Sequence, residues 1–135
     1  MAVVIRNKFG AIAVNRIVLN KMVIEQLLEM EDELILCNKK GMPIKKNPTP
    51  FIDSDYYDAV ELTERKNGVR IKISIIVIIN SGKNIADITE QIMDRIEENF
   101  ELLKLDKPRK ISIYIKGIKR EEIEKRNIEV VRRNV

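Results

Sequence analysis

The sequence predicts an α+β domain: two helices packed on a mixed sheet of about four strands, in the order strand, helix, short strand, hairpin, helix, strand. Three observations predict it. Residues 17–30 are apolar at nearly every position save one narrow wet stripe, and apolar residues step by three and four over 85–103, the patterns of a largely buried helix and of a helix with one buried face. Two apolar-polar alternating runs flank Lys66-Asn67-Gly68, the strongest short-range signal of a hairpin. After Pro108, Ile111, Ile113 and Ile115 alternate with Ser112, Tyr114 and Lys116, which reads as a half-buried strand.

At 135 residues the chain has room for one core, and it can bury roughly two thirds of its unfolded surface without staples. That core must be aliphatic. Isoleucine occurs 23 times against three Phe, three Tyr and no Trp, so aromatic anchors for a tight interface are scarce.

Residues 10–14 form a short apolar run, the first strand, and Asn15 offers an N-cap to the helix that follows. Within that helix Lys21, Glu25 and Glu29 recur every four residues, one narrow wet stripe on an otherwise apolar surface. Lys21 is also spaced to pair with Glu25. Residues 34–37 suggest a second short strand. Across 38–57 no period survives, and Gly41, Pro43, Pro48 and Pro50 break regular structure. A connection of that length is either functional or poorly ordered.

The hairpin spans residues 59–79. Ile71, Ile73 and Ile75 alternate with Lys72 and Ser74, then the run turns wholly apolar, as in a central strand covered on both faces. Residues 80–83 make a turn, and Asn84 caps the second helix with Asp87 at its third position. Ile85, Ile88, Ile92, Ile96, Phe100 and Leu103 form its apolar stripe. Asp87, Glu90, Asp94, Glu97, Glu98 and Glu101 face the other way. Residues 119–135 are highly charged, with little apolar content beyond Ile123, Ile128, Val130 and Val131. They read as a tail appended to a domain of residues 1–118.

Net charge is +4, but its distribution is uneven. Residues 84–104 hold six acids and two bases, a net −4 that leaves +8 for the remainder. One acidic face and one basic region follow.

Several chemistries are excluded. No histidine is present, which removes the side chain best suited to proton transfer at neutral pH and every His-based triad. A single cysteine, Cys37, cannot form an intrachain disulfide. Lys39 and Lys40 nearby could lower its pKa, although a plain buried cysteine is the simpler reading. Asp53-Ser54-Asp55 with Asp58 offers oxygens to a divalent cation, but Asp58 stands where an EF-hand loop needs glycine, and a solvated acidic loop is the default. Ser81-Gly82-Lys83 precedes a helix N-terminus, a place suited to phosphate. A P-loop would need glycine at Val77 and Ser or Thr at Asn84, so a turn and cap are expected instead. No catalytic residue, cofactor or metal is therefore expected. The longest apolar run, residues 75–79, is far below the ~20 needed to span a bilayer, and no signal-peptide core is seen. A cytoplasmic location without membrane insertion is expected.

The order of elements, with Gly10-Ala11-Ile12-Ala13-Val14-Asn15-Arg16-Ile17-Val18 opening one helix and Asn84-Ile85-Ala86-Asp87-Ile88-Thr89-Glu90-Gln91-Ile92 another, resembles the alkaline shock protein (Gls-type) family of bacterial envelope-stress proteins. The strand Ile111-Ser112-Ile113-Tyr114-Ile115-Lys116-Gly117-Ile118 belongs to the same pattern, which covers roughly residues 9–119. The resemblance implies a non-enzymatic cytoplasmic protein held near the inner face of the membrane by a membrane-anchored partner. It also implies a role in envelope homeostasis, with a link in some relatives to fatty-acid synthesis through acetyl-CoA carboxylase. It carries no catalytic or ligand residue.

The expected partner surface is the acidic face: Asp87, Glu90, Asp94, Glu97, Glu98 and Glu101, with the 38–57 loop as a second candidate. Glu90 with Asp94, and Glu97 with Glu101, are like-charge pairs one turn apart, a repulsion that a basic protein partner would relieve. Self-association into a homo-oligomer is also expected. The alternative is a small RNA-binding domain. Its basis is thin, because the six bases of residues 119–135 meet four glutamates, and neither an RNP motif nor a GXXG loop occurs.

Overall fold

The most apolar strand of the chain lies at the middle of its sheet. A computed structural model describes residues 2–7, 10–44, 56–65, 68–79 and 83–134. Strand β1 (Ala2–Asn7) and β2 (Gly10–Asn15) pair antiparallel as a separate two-stranded sheet, and α1 (Arg16–Leu28) starts directly after Asn15. Then come β3 (Leu34–Leu36), the short α2 (Tyr56–Ala59), β4 (Val60–Arg65), β5 (Gly68–Ile78), α3 (Ile85–Leu102), β6 (Lys110–Lys119) and β7 (Ile123–Arg133).

The expected α+β class holds, with a mixed sheet of five strands. One edge of β5 is shared, its first half by β4 and its second half by β3, both antiparallel. Its other edge takes β6 in parallel. Parallel neighbours need a long crossover, and α3 supplies it. Antiparallel β7 completes the sheet beyond β6.

Alternation assigns the two faces of this sheet. Ile71, Ile73, Ile75 and Val77 of β5 join Ile111, Ile113 and Ile115 of β6, and Val60 and Leu62 of β4, in one core. Leu19, Val23, Ile24 and Leu27 of α1 close over it, as do Ile88, Ile92, Ile96 and Phe100 of α3. On the far face Arg70 and Lys72 are exposed, while Ser74 and Ile76 are buried, so the second half of β5 is covered on both sides.

The helices follow their sequence patterns, except that Leu103, expected in the buried stripe of the second helix, is its exposed C-cap residue. Lys21 and Glu25 form the exposed stripe of α1, continued by Glu29 in the turn that follows, although Ile17 and Val18 at its start are also exposed. Asn84 Oδ1 accepts a hydrogen bond from the Asp87 N–H at 2.7 Å, capping α3. At the other end Leu105 N–H donates to Phe100 O and Lys104 N–H to Glu101 O, both at 2.9 Å. That is a Schellman closure with Lys104 in the left-handed position at φ 60°, a place glycine usually takes, and with Leu105 buried as its apolar contact.

Two expectations need correction. About four strands were expected; β1 adds a hairpin before the first of them, and β7 extends the main sheet. Residues 119–135 are not a loose tail, since 123–133 pair with β6 along its length. An edge strand with one half-covered face needs few apolar residues, so its charge conceals it in the sequence. Helix α2 was unforeseen as well, being only four residues long. The expected hairpin is present as β4 and β5, with Gly68 at φ 126°, while Lys66 and Asn67 lie outside the described residues. Among the described residues no helix is long and apolar enough to cross a membrane.

Candidate interaction surfaces

The acids of α3 lie where the helical period puts them. At about 100° per residue, Asp87, Glu90, Asp94, Glu98 and Glu101 fall within an arc of about 80°, along about 21 Å of axis. Glu97 sits at the flank of that stripe, nearer β7. The structure separates the six into two sets.

Asp94 and Glu97 are held by the chain itself. Arg132 of β7 donates from Nη1 to Asp94 Oδ1 at 2.9 Å and to Glu97 Oε1 at 2.8 Å. Asn134 Nδ2 donates to the second oxygen, Glu97 Oε2, at 2.6 Å and to the Pro108 carbonyl at 2.8 Å. Glu97 is 9% exposed, so both of its oxygens need these partners. Partial burial of Arg132 works against its charge. The hydrogen bonds it donates to Asp94 and Glu97, with the negative charges of both, outweigh that effect and raise its pKa above the ordinary value. The basic group that answers this part of the acidic face is thus intramolecular.

Asp87, Glu90, Glu98 and Glu101 are exposed, and no ion pair holds them among the described residues. Asp87 lies in the first turn, where the helix dipole favours an anion. Glu101 lies in the last turn, which contains no base and where the dipole is unfavourable. Beside the stripe, a groove of about 710 Å³ runs between α3 and β7, lined by apolar Ile85, Met93 and Val130, with Glu90 and the edge residues Val131 and Arg133 at its rim.

The other sequence candidates fare differently. Cys37 is fully buried, and burial pushes its thiol up to about 11 against a smaller opposing pull from the Lys116 charge. The nearby cation that matters is Lys116 of β6, not Lys39 or Lys40; Lys39 pairs with Glu61 at 3.2 Å. Lys83 donates to Glu33 Oε1 at 2.8 Å and Gln91 Oε1 at 2.9 Å, tying the start of α3 to the segment after α1. Ser81 and Gly82 lie outside the described residues, as do Asp53, Ser54, Asp55 and most of the 38–57 loop. Asp58 is exposed in α2, and no cluster of three metal-ligating side chains occurs among the described residues. A polar pocket of about 270 Å³ opens on the sheet face away from the helices, between Lys39, Glu61, Lys72, Tyr114 and Lys116.

Sequence reasoning missed Arg132 and Asn134 as tethers of α3. A signal existed: Ile128, Val130 and Arg132 share a period of two, which puts Arg132 on the face that meets the helix. Comparison with protein-family models, with characterised proteins and with solved structures finds no match to this chain.

Proposed function

We propose that this chain is a non-catalytic interaction protein of the alkaline shock type, cytoplasmic, acting in cell-envelope stress or homeostasis through contacts with protein partners and with itself. One observation carries the partner reading. Four acids of α3, Asp87, Glu90, Glu98 and Glu101, line one exposed stripe with no ion-pair partner among the described residues. Their mutual repulsion is relieved when a basic surface docks, including that of a membrane-anchored protein. Non-catalytic action is supported by the lack of histidine and by a thiol that is buried and protonated.

The test reverses the four free acids together, Asp87→Lys, Glu90→Lys, Glu98→Lys and Glu101→Lys, and leaves Asp94 and Glu97 to hold Arg132. Proteins cross-linked to the wild-type chain in cells are expected to be lost from this variant and retained by Asp94→Asn. An unchanged set of captured proteins would rule the surface out.

The alternative, a small RNA-binding domain, draws on the face of β5 and β6 away from the helices, where Arg70, Lys72 and Lys110 lie along the same face as Tyr114 and Lys116 stands beside its ring. Lys116 Nζ stands 5.5 Å from the Tyr114 ring centre and so competes with a base for that ring. Salt-dependent binding of generic RNA, with Kd at or below about 10⁻⁶ M at physiological salt, would favour this reading.

A further inference from the structure

Strand β7 ends the main sheet, so among the described residues its outer edge has no neighbour. Registered against β6, its residues divide between two faces. Arg132, Val130 and Ile128 lie opposite Ile111, Ile113 and Ile115, toward the helices. Val131, Glu129, Lys125 and Ile123 lie opposite Ser112, Tyr114, Gly117 and Lys119, away from them. The pairing slips between Ile128 and Lys125, yet Lys125 and Glu129, four apart, share one face. Alternation therefore holds, and Asn127 joins them.

The outward row is thus Ile123, Lys125, Asn127, Glu129, Val131. It is self-complementary. Turned end for end about Asn127, the row sets Ile123 against Val131, Lys125 against Glu129 and Asn127 against itself. Ile123 and Val131 are among the few exposed large apolar side chains, at 40% and 38%. Neither Lys125 nor Glu129 has an ion-pair partner among the described residues.

We propose that β7 pairs antiparallel with β7 of a second copy, about a two-fold axis at Asn127, joining the two main sheets into one. In a continuous sheet, residues directly opposite share a face, so a symmetric axis must pass through a residue. Centring on Arg126 or Glu129 opposes like charges at the axis, which is destabilising. Centring on Ile128 sets Ile123 against Arg133 and Val131 against Lys125, and pairs Glu124 with Arg132, which Asp94 and Glu97 already hold. The Asn127 register opposes no like charges, forms the Lys125–Glu129 pair twice and covers both exposed apolar side chains. Charges on an edge strand ordinarily discourage pairing with other chains. Here the two-fold axis turns them into matched pairs.

This deepens the self-association proposed above, and it is separable from the α3 stripe, whose four reversed acids lie outside β7. Analytical ultracentrifugation of the full chain is expected to show a monomer–dimer equilibrium. Lys125→Glu and Glu129→Lys, each placing two like-charge pairs in the dimer, are expected to raise Kd about tenfold. The double variant Lys125→Glu with Glu129→Lys restores the pair in swapped order and is expected to return Kd to near wild type. Asn127→Cys is expected to yield an interchain disulfide under mild oxidation, because the two Cα atoms at the axis stand about 5.5 Å apart. All three positions are exposed, so circular dichroism should report an unchanged fold. A wild-type chain that stays monomeric, single variants that associate like wild type, or a double variant as weak as the singles would overturn the proposal.

Discussion

β5 and β7 are both eleven-residue strands of one sheet, and every residue of β7 is at least partly solvated while most of β5 is buried. β5 has neighbours on both edges and, over its second half, cover on both faces. It tolerates almost no charge there, since a buried ion without a partner is costly. β7 has one neighbour and one half-covered face. It therefore carries Glu, Lys and Arg freely and stays in place through backbone pairing to β6 and the grip of Arg132 on α3. Stability concentrates in the first strand, and the solvated charges gather on the second.

The sharpest way to break this comparison is to truncate one side chain in each strand. Ile73→Ala leaves a cavity at a fully buried site and is expected to cost about 3 kcal/mol in urea titration. Val131→Ala, measured at high dilution, is expected to change stability by less than about 0.5 kcal/mol. Equal losses would refute the division.

A second measurement concerns the rim of β5, where the buried Cys37 N–H donates to Ser74 O. The folded thiol titrates near 11 against an ordinary value of 9.0. Below pH 9 both states are protonated and nothing is lost. Between about pH 9 and 11 only the unfolded state ionises, so stability falls as pH rises, by up to roughly 2–3 kcal/mol at about 1.4 kcal/mol per unit. Cys37→Ala is expected to remove that extra alkaline loss. Parallel stability–pH curves for the two proteins would show that the thiol is not sealed.

A smaller effect is expected at the tether of β7. Arg132→Gln leaves the nearly buried Glu97 without its cation and should cost about 1–2 kcal/mol. Hydrogen exchange should quicken in β7 and along α3 before it does in β5. Uniform quickening would mean that the two strands open as one unit.

Much of this contrast was legible in the sequence. Ile71, Ile73 and Ile75, alternating with Lys72 and Ser74 before a wholly apolar stretch, announced a central strand, because side chains alternate strictly across a pleat. The period of α3 announced both its buried stripe and its acids, and Asn84 its start. β7 was hidden by its composition: an edge strand is held by backbone bonds that any side chain permits. The gathering of α3's acids was foreseen, but the division among them was not. Arg132 lies 35 residues from Glu97, and no local pattern expresses that contact.

The sequence by itself determined the α+β class, the two main helices with their wet and dry faces, the hairpin, and the absence of imidazole chemistry. These follow from local period, capping and composition, which the chain carries residue by residue. Only the tertiary structure decided which acids are tethered, which cation seals them, and that the charged C-terminal segment forms the last strand of the main sheet among the described residues. Those depend on which distant segments become neighbours, and burying the shared isoleucine core fixes that.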